Sequence, residues 1–404
     1  MKKGWQTKTL GDVAAVGAGN SAPQDEALFK DGTIPFFRTA DAGRVRFGDI
    51  LEAADYLNDN GAKGLRRFAP GTILFPKSGA STFLNHRVLL GVEGCVSSHL
   101  ATIVADKKQA HPRFLLYFLS TIAAQDLVQD HAYPSLNLPT IAGIEVHLPP
   151  LAEQQRIVGM LDEAFAGLAT AKANAEKNLQ NARALFESHL QSVFTQGSQS
   201  AAEGRGPGWV ESTIGAEIKF IDYRGKTPVK TASGVRLITA KNVKMGYLQE
   251  TPMEFIAAAS YKGWMTRGIP QNGDVLFTTE APLANVAQLD TDEKVAFAQR
   301  IIIMQPNAAK LDSTFLKYLL LSQPVQQRIR TKGTGATVQG IKASLLKLIE
   351  ISFPKSLATQ EEIVSKLDSL REQTQRLARL YERKHAALEA LKKSLLHQAF
   401  TGEL

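Results

Sequence analysis

The chain has 404 residues, a single cysteine and a formal net charge of +8 at pH 7. A chain of this length favours two or more domains, each large enough to bury a core of its own. It contains no run of about eighteen apolar residues, which argues against a transmembrane helix, and its N-terminus lacks the apolar core of a signal peptide. The lone Cys95 excludes an internal disulfide and a cysteine metal cluster. We expect a cytoplasmic protein that has no contact with a membrane.

The positive charge is concentrated in one part of the chain. Between residues 216 and 350 there are 18 lysines and arginines against 11 aspartates and glutamates, which accounts for most of the net charge. A surplus within a folded segment, rather than in a tail, favours a surface that faces a polyanion. A soluble basic protein that binds no polyanion explains the charge equally well.

Residues 1–148 are predicted to form a globular α+β domain. Short runs rich in β-branched residues at 71–75 and 101–105 are bounded by Gly, Pro or Asn, which is typical of strands. Residues 112–125 carry apolar side chains three and four positions apart, and Pro112 suits the first turn of a helix.

A long helix is predicted over residues 149–196, and a second one over 354–404. The first region opens with LPPLAEQQRIV (148–158) and the second with FPKSLATQEEIV (353–364), and each continues to its end without a further proline. The second copy has a heptad pattern typical of a coiled-coil seam. Its two series are Leu367, Thr374, Tyr381, Leu388 and Leu395, and Leu370, Leu377, Lys384, Leu391 and Gln398.

Residues 197–207 are predicted to form a flexible connector. The stretch GSQSAAEGRGPG (197–208) has no apolar residue larger than alanine, so it has little to bury.

Residues 208–353 repeat the first globular segment. Gly208-Trp209 matches Gly4-Trp5, ITAK at 238–241 matches RTAD at 38–41, and 273–277 matches 71–75. The offsets stay between 200 and 206, which indicates a tandem duplication of a globular domain followed by a long helix.

The two long helices are predicted to pair antiparallel. With a helical span of about forty residues, each would be roughly 60 Å long at 1.5 Å per residue, and alone each would leave its apolar stripe in water. Pairing would bury both stripes and place one globular domain at each end, related by an approximate two-fold axis. Weak seam positions indicate a modest pairing or completion by another subunit; they are Lys172, Ala175, Ala182, His189, Lys384 and Gln398. The alternative is that each helix packs separately on its own domain.

The motifs indicate a chain without catalytic or metal-binding chemistry. Gly225-Lys226-Thr227 lacks the glycine that a phosphate loop needs five residues earlier, where Phe220 stands. The histidines do not have the spacing of metal ligands. The run DTDEK (290–294) is best explained as a solvated loop.

The polar loops of the two globular segments are the candidate binding surface. Their basic and amide side chains suit phosphate contacts with a few readers of base edges. Corresponding positions in the loops of the two segments stay polar although the residues differ, as two readers of different DNA sequences would need. The alternative is that any exposed loop is polar and that its residues changed without functional consequence after the duplication. The candidate contacts are Arg38, Thr39, Lys77, Ser78, Ser98, His99, Arg224, Lys226, Thr227, Lys230, Lys241, Asn242, Lys244, Thr278, Thr279, Glu280, Arg300 and Lys332.

The whole chain resembles the specificity subunit of a type I restriction-modification system. The resemblance rests on the order of globular domain, helix, second domain and second helix, on LPPLAEQQRIV and its echo FPKSLATQEEIV, and on the ending HQAFTGEL (397–404). In the second domain it also rests on YRGKTP (223–228), TAKNVKMG (239–246) and TTEAPLANVA (278–287). The second helix departs from the usual start, with Lys355 in place of the second proline and Gln360-Glu361-Glu362 after Leu357.

The resemblance implies a non-catalytic reader of double-stranded DNA. Each globular domain would bind one half of a bipartite target, and the paired helices would set the unread spacer and dock two methyltransferase subunits. Those subunits would carry S-adenosylmethionine and methylate an adenine in each half-site. Restriction subunits with ATP and nuclease sites would join them, with Mg²⁺ on the partners, so this chain itself would need no cofactor.

Two other functions stay open at the level of sequence. A coiled-coil adaptor that joins proteins and never touches DNA would use the helical seam alone. A single-chain nuclease or methyltransferase would show activity without partner subunits. Retention of the chain on DNA or heparin at moderate salt separates the reader from the adaptor.

Overall fold

The computed structural model describes residues 4–132, 134–202, 208–223, 227–335 and 339–404. The chain divides into two compact units. The first unit comprises Met1–Ala175 and Arg383–Leu404, and the second comprises Glu176–Glu382. Each unit therefore contains one globular domain and a segment of each long helix.

The first globular domain consists of short strands and a few short helices. Its strands are β1 (Gln6–Thr9), β2 (Ala14–Ala18), β3 (Ile34–Phe37), β4 (Phe47–Ile50), β5 (Asp55–Leu57), β6 (Arg67–Phe68), β7 (Ile73–Pro76), β8 (Arg87–Leu90), β9 (Gly94–Val96), β10 (Leu100–Ala105) and β11 (Glu145–Leu148). Its α-helices are α1 (Leu10–Val13), α2 (Thr39–Val45), α3 (Asp59–Ala62), α4 (Pro112–Ser120) and α5 (Leu138–Ala142). Turns of 3₁₀ helix occur at Glu26–Leu28, Ala80–Leu84 and Ala124–Asp126.

The remaining elements are the two long helices and the second globular domain. The helices are α6 (Leu151–Ala202), α7 (Ile214–Glu217), α8 (Tyr261–Trp264), α9 (Ser313–Leu321), α10 (Gln323–Lys332), α11 (Ala343–Lys347) and α12 (Leu357–Thr401), with a 3₁₀ turn at Ala258–Ser260. The strands are β12 (Trp209–Thr213), β13 (Ile218–Asp222), β14 (Lys230–Thr231), β15 (Val235–Ile238), β16 (Val243–Lys244), β17 (Tyr247–Leu248), β18 (Glu254–Ile256), β19 (Val275–Thr278), β20 (Val286–Gln288), β21 (Val295–Phe297), β22 (Ile301–Pro306) and β23 (Glu350–Pro354).

The two domains share most of their sheet topology, although the large sheet has five strands in the first domain and four in the second. In the first, the large sheet has the order β2-β10-β7-β8-β4, and a smaller sheet has the order β5-β3-β9-β6. In the second, the corresponding sheets are β13-β22-β19-β20 and β14-β18-β15-β21. Each smaller sheet contains one parallel pair, β3 with β9 and β15 with β21. The α+β class and the duplication predicted from the sequence are confirmed.

A second shared feature is the strand pair that leads into each long helix. β1 pairs with β11 just before α6, and β12 pairs with β23 just before α12. The hairpin of β16 and β17 occurs in the second domain, where it lies against β20 through a 2.7 Å hydrogen bond from the backbone N–H of Gly246 to the carbonyl of Val286.

The long helices complete the hydrophobic core of each globular domain. In the first unit, Phe114 of α4 packs edge-on against Phe400 of α12, with ring centroids 5.2 Å apart. In the second unit, Phe315 of α9 packs in the same way against Phe194 of α6, at 5.4 Å. Burial of this apolar surface holds each helix segment to its domain.

A buried glutamine near the start of each long helix fixes the helix to the domain. Gln154 accepts the backbone N–H of His111 at 2.8 Å and donates to the carbonyls of Gln109 and Pro149 at 2.8 and 2.9 Å. Gln360 is its counterpart. It accepts the backbone N–H of Asp312 at 2.8 Å and donates to the carbonyls of Lys310 and Pro354 at 2.8 and 2.7 Å. The altered start of the second helix therefore preserves this contact.

Within each unit the two helix segments run antiparallel. In the first unit, Lys172 of α6 pairs with Glu389 of α12 at 2.7 Å, and Arg156 donates to the carbonyl of Leu404 at 3.0 Å. In the second unit, Arg183 pairs with Glu382 at 2.8 Å. The predicted packing of the two long helices against each other is confirmed, and separate packing on individual domains is wrong.

The helix ends and the seam differ from the prediction in three respects. α6 extends to Ala202, six residues beyond the predicted end, so 197–202 are helical, while 203–207 of the predicted connector lie outside the described residues. α12 begins at Leu357, because residues up to Pro354 belong to β23. Leu367 and Thr374 are buried as predicted, whereas Leu377 and Leu391 are 40% and 48% exposed. The second series of the heptad therefore does not form a continuous buried seam.

Within the described part of the chain, no helix combines the length and apolar character needed to cross a membrane.

Candidate nucleic-acid interface

Three loops meet at one end of the large sheet in the second unit, where β13 and β19 end and β22 begins. The backbone N–H of Thr279 donates to the carbonyl of Arg300 at 2.9 Å. The carbonyl of Thr279 accepts the N–H of Ile341, also at 2.9 Å, and Glu280 forms a β-bridge with Gly340. We call this end of the sheet the three-loop edge of the second unit.

The first unit builds the same edge with the same backbone contacts. The N–H of Lys77 donates to the carbonyl of His99 at 3.0 Å, and the carbonyl of Lys77 accepts the N–H of Leu136 at 2.8 Å. Ser78 forms a β-bridge with Ser135. The backbone frame is therefore common to the three-loop edges of both units.

The side chains carried by the two frames differ. In the second unit, the Arg300 guanidinium Nε lies 2.9 Å from Oε1 of Glu280, and these side chains are 46% and 44% exposed. In the first unit, the corresponding residues are His99, which is exposed, and Ser78, which is half-buried. One edge therefore offers an ion pair, and the other offers an imidazole and a hydroxyl.

Each three-loop edge lies at the end of its sheet opposite the contact that Gln154 or Gln360 makes with the domain. In the second unit, Arg300 precedes β22 and Lys310 follows it, and Lys310 accepts the hydrogen bond from Gln360. A six-residue strand spans roughly 20 Å at 3.3 Å per residue. The edge is therefore separated from the start of the long helix by the length of the strand.

Two predicted contacts, Thr278 and Thr279, have buried side chains that support the edge. Thr278 is fully buried, and its hydroxyl donates to the carbonyl of Pro282 at 2.6 Å and accepts the N–H of Asn285 at 2.9 Å. The hydroxyl of Thr279, which is 3% exposed, donates to the carbonyl of Arg300 at 3.4 Å. Both hydroxyls are satisfied by hydrogen bonds inside the protein, so in this structure neither is available for a direct contact with DNA.

Asn242 is a third predicted contact that the structure places in the interior. It is 1% exposed, its amide oxygen accepts the N–H of Thr239 at 3.0 Å, and its amide nitrogen donates to the carbonyls of Gln249 and Pro252 at 3.0 Å. Asp41 has the same role in the first unit, where it accepts the N–H of Arg38 at 2.8 Å. The two segments therefore align with an offset of 201, one residue more than the sequence match of RTAD with ITAK.

Arg38 and Thr39 lie at the carboxyl end of β3, beside the first three-loop edge. The backbone N–H of Ser97, which precedes the predicted contact Ser98, donates to the carbonyl of Phe37 at 2.9 Å. The Arg38 guanidinium pairs with Asp55 at 2.5 Å, and Thr39 begins α2. Arg38 is thus near the edge, but its charge is already paired.

The remaining predicted residues of the second unit are spread over several surfaces. Lys332 ends α10 beside the loop that contains Gly340, while Lys230 pairs with Glu254 at 2.8 Å on the smaller sheet. Thr227 and Lys241 are exposed, and within the described chain neither forms a hydrogen bond or ion pair with a residue of the edge. Arg224 and Lys226 lie outside the described residues.

Lys244 belongs to a different surface. It lies in the hairpin of β16 and β17, whose turn residue Gly246 accepts a 2.6 Å hydrogen bond from Arg371 of α12. The structure therefore places Lys244 beside the long helix and not at the three-loop edge.

Sequence reasoning missed the third loop of each edge and one arginine. Ser135 and Gly340 were not predicted because neither is charged and their loops show no obvious repeat. Arg267 donates to the carbonyl of Asp222 at 2.6 Å, at the end of β13. Arg66 lies 201 positions earlier in the sequence than Arg267. The same offset relates His99 to Arg300, so applying it along the sequence would have matched the two arginines.

A buried guanidinium lies beneath the first edge. Arg87 is fully buried at the start of β8, 3.4 Å from the ring centre of Phe75, and it donates to the carbonyl of His86 at 2.8 Å. Burial lowers the pKa of Arg87 to about 9. Burial also lowers the pKa of His86, with further contributions from Arg46 and Arg87.

The described residues contain no group of three His, Cys, Asp or Glu side chains arranged to hold a metal ion. The edges instead offer hydrogen-bond donors and acceptors on rigid backbone frames, which suits recognition of a polar ligand.

Comparison with known proteins identifies the family. The sequence model for the type I restriction modification DNA specificity domain matches residues 2–179 and 225–383. The chain is 26% identical over 171 residues to the MjaIX specificity subunit of Methanocaldococcus jannaschii, a match that covers 41% of this chain but only 38% of that relative. It is 21% identical over 335 residues to the MjaVIII specificity subunit of the same organism, covering 78% and 76% of the two chains.

Two solved structures share the fold over the whole chain. One, described as the structural basis of complex assembly and conformational transition of the type I R-M system, has a TM-score of 0.77 at 20% identity, with 100% and 99% of the two chains covered. The HsdS subunit from Thermoanaerobacter tengcongensis has a TM-score of 0.64 at 18% identity, with 100% and 98% covered. The chain thus belongs to the type I restriction-modification DNA specificity family and is a specificity subunit, the non-catalytic component of the restriction enzyme complex that recognises the DNA target.

Proposed function

We propose that the globular domains at 1–148 and 208–353 each read one half of a bipartite target in double-stranded DNA, through their three-loop edges. The observation that carries this proposal is that the two units share a backbone frame but carry different polar side chains on it. These side chains, which we call the tips, are Ser78 and His99 in one unit and Glu280 and Arg300 in the other. A constant frame with variable tips is what recognition of two different half-sites by one fold requires.

Phosphate contacts would supply most of the affinity. The surplus of lysine and arginine between residues 216 and 350 provides a positive field around the second domain. Exposed cations near the edge, such as Lys332, would contact the DNA backbone, and the tips would contact base edges. Binding should therefore weaken steeply as salt rises.

We further propose that the long helices fix the unread spacer and dock two modification subunits. Both helices contribute to both units, so they are the elements that link the two readers. Several apolar side chains on the helices are exposed in a way that suits a protein partner; in the second unit these are Leu185, Leu377 and Leu380, at 52%, 40% and 51%.

The modification subunits would carry S-adenosylmethionine and methylate an adenine in each half-site, and restriction subunits with ATP would join them. A solved structure with the same fold comes from work on assembly of the type I R-M system, which supports a multi-subunit complex. No residue of this chain is assigned a catalytic role in the proposal.

The proposal is tested by selecting targets from randomised double-stranded DNA with the chain and its modification subunits. The triple variant Lys77→Ala, Ser78→Ala and His99→Ala should relax base preference in one half-site and leave the other half-site unchanged. The matched control, Lys107→Ala with Lys108→Ala, alters exposed lysines at the opposite end of β10 and should leave both half-sites intact. Unchanged preference in the triple variant would refute the edge as the reading surface.

A further inference from the structure

We propose that Arg300 reads a guanine in the half-site bound by the second domain and that Glu280 is the positioning residue that orients it. This inference rests on the proposed function. It assigns one base contact to one side chain, in a loop whose neighbours Thr278 and Thr279 are buried supports.

The ion pair leaves the reading atoms of the guanidinium free. Glu280 engages Nε of Arg300 at 2.9 Å, so the two terminal nitrogens, Nη1 and Nη2, remain at the end of the side chain. Among the described residues neither terminal nitrogen has a hydrogen-bond partner. A guanidinium held at Nε presents two parallel donors, which match O6 and N7 of guanine in the major groove.

The backbone of both residues is fixed. Arg300 has a φ of 78°, a left-handed conformation that is uncommon for a non-glycine residue, and its carbonyl is held by the N–H and the hydroxyl of Thr279. Glu280 is held by its β-bridge with Gly340, where an added Cβ would lie 3.3 Å from Cβ of Glu280. The backbone that carries the pair is therefore held in place by its neighbours.

The chemistry favours a base over a phosphate. A carboxylate beside the guanidinium repels a phosphate anion, while it leaves donors for a neutral base edge. A partly exposed ion pair contributes little to folding stability, so stability alone does not explain why the fold keeps this pair on strained backbone. In the first unit, Ser78 and His99 cannot present the same fork, so the two half-sites should differ at this position.

The test uses the full chain with its modification subunits and randomised double-stranded DNA. The wild-type complex should select guanine at one position of one half-site, and Arg300→Ala should reduce that preference roughly ten- to a hundredfold. Arg300→Lys should lose most of it, because an ammonium lacks the fork. Glu280→Gln should reduce the preference by a smaller factor and strengthen binding to non-target DNA.

A modified base isolates the contact. Replacing that guanine by 7-deazaguanine removes N7, so it should weaken binding by the wild-type complex and have no further effect on Arg300→Ala. The control Lys219→Ala removes an exposed lysine near the start of β13, at the end of the sheet opposite the three-loop edge, and it should behave as wild type in every assay. Equal melting temperatures across the variants would show that each one folds.

The outcomes separate this inference from the proposed function. If Arg300→Ala weakens binding to all sequences equally, Arg300 contacts phosphate and the inference is wrong, while the edge still binds DNA. Loss of preference for a base other than guanine would also overturn it. If the wild-type complex selects no bipartite target, the proposed function itself fails.

Discussion

The phenolic hydroxyl of Tyr318 donates a hydrogen bond to a carboxylate oxygen of Asp368, which ties α9 to the second long helix inside the second unit. In the first unit, Tyr117 donates in the same way to Asp162 of α6. Burial, reinforced by the accepting carboxylate, raises the pKa of Tyr318 and of Tyr117 above the usual value for tyrosine. The attachment of helix to domain is therefore duplicated along with the fold.

Replacing Tyr318 by phenylalanine should destabilise the second unit by about 1–2 kcal/mol, because a part-buried hydrogen bond to a charged acceptor is lost while the ring stays packed. Tyr117→Phe should have a similar effect on the first unit. The measurement is denaturant unfolding followed by a probe in each unit. Unchanged stability in both variants would show that these hydrogen bonds contribute nothing.

Replacing Gln154 or Gln360 by alanine should cost about 2–4 kcal/mol, because each change removes the side-chain partner of one backbone N–H and two carbonyls at buried or part-buried positions. Gln155→Ala is the matched control, since Gln155 is the exposed neighbour on the same helix, and it should be neutral. Thermal unfolding compares the three variants. A loss no larger than that of the control would contradict the proposed role of the buried glutamines.

Lys317→Leu should leave stability unchanged or raise it by up to about 1 kcal/mol at pH 7, because a buried ammonium is replaced by an apolar side chain. Lys317 is 6% exposed, and Leu116 occupies the corresponding position beside Tyr117. Burial lowers the pKa of Lys317 below the unfolded value of 10.5. The penalty is therefore fully present below the folded pKa and disappears as pH rises to 10.5.

The pH dependence gives the check on Lys317. Wild-type stability, measured against Lys317→Leu by urea unfolding at several pH values, should rise relative to the variant as the pH approaches 10.5. A difference that stays constant with pH, or a variant that is less stable by several kcal/mol, would show that the ammonium makes a favourable buried contact instead.

The repeat made most of the fold predictable from the sequence. Matched short strands and matched long helices indicated two α+β domains and a pair of helices, because apolar periodicity reports directly on which faces are buried. The outward position of Leu377 was not predictable in this way, since a heptad pattern does not reveal which apolar positions stay uncovered in one chain.

The candidate site was less predictable, because polarity alone does not separate a supporting side chain from a reading one. Asn242 and Thr278 have the residue types of DNA contacts, yet their polar atoms are used by nearby backbone groups in tight turns. Gly340 carries no side chain to attract notice, and its contribution comes from backbone pairing with a distant loop. Arg300 and Glu280 were predicted individually, but their contact follows only from the register of β19 and β22.

The central claim is that the long helices set the distance between two DNA readers. The most direct test inserts three heptads into both helices, between Ala175 and Glu176 and between Glu382 and Arg383, where one compact unit gives way to the other. The added rise of roughly 31 Å is close to one turn of DNA, about 34 Å, so the phase of the two half-sites is nearly kept. Target selection with the modification subunits should return the same two half-sites with a spacer longer by about nine base pairs. The same half-sites at an unchanged spacing would contradict the claim.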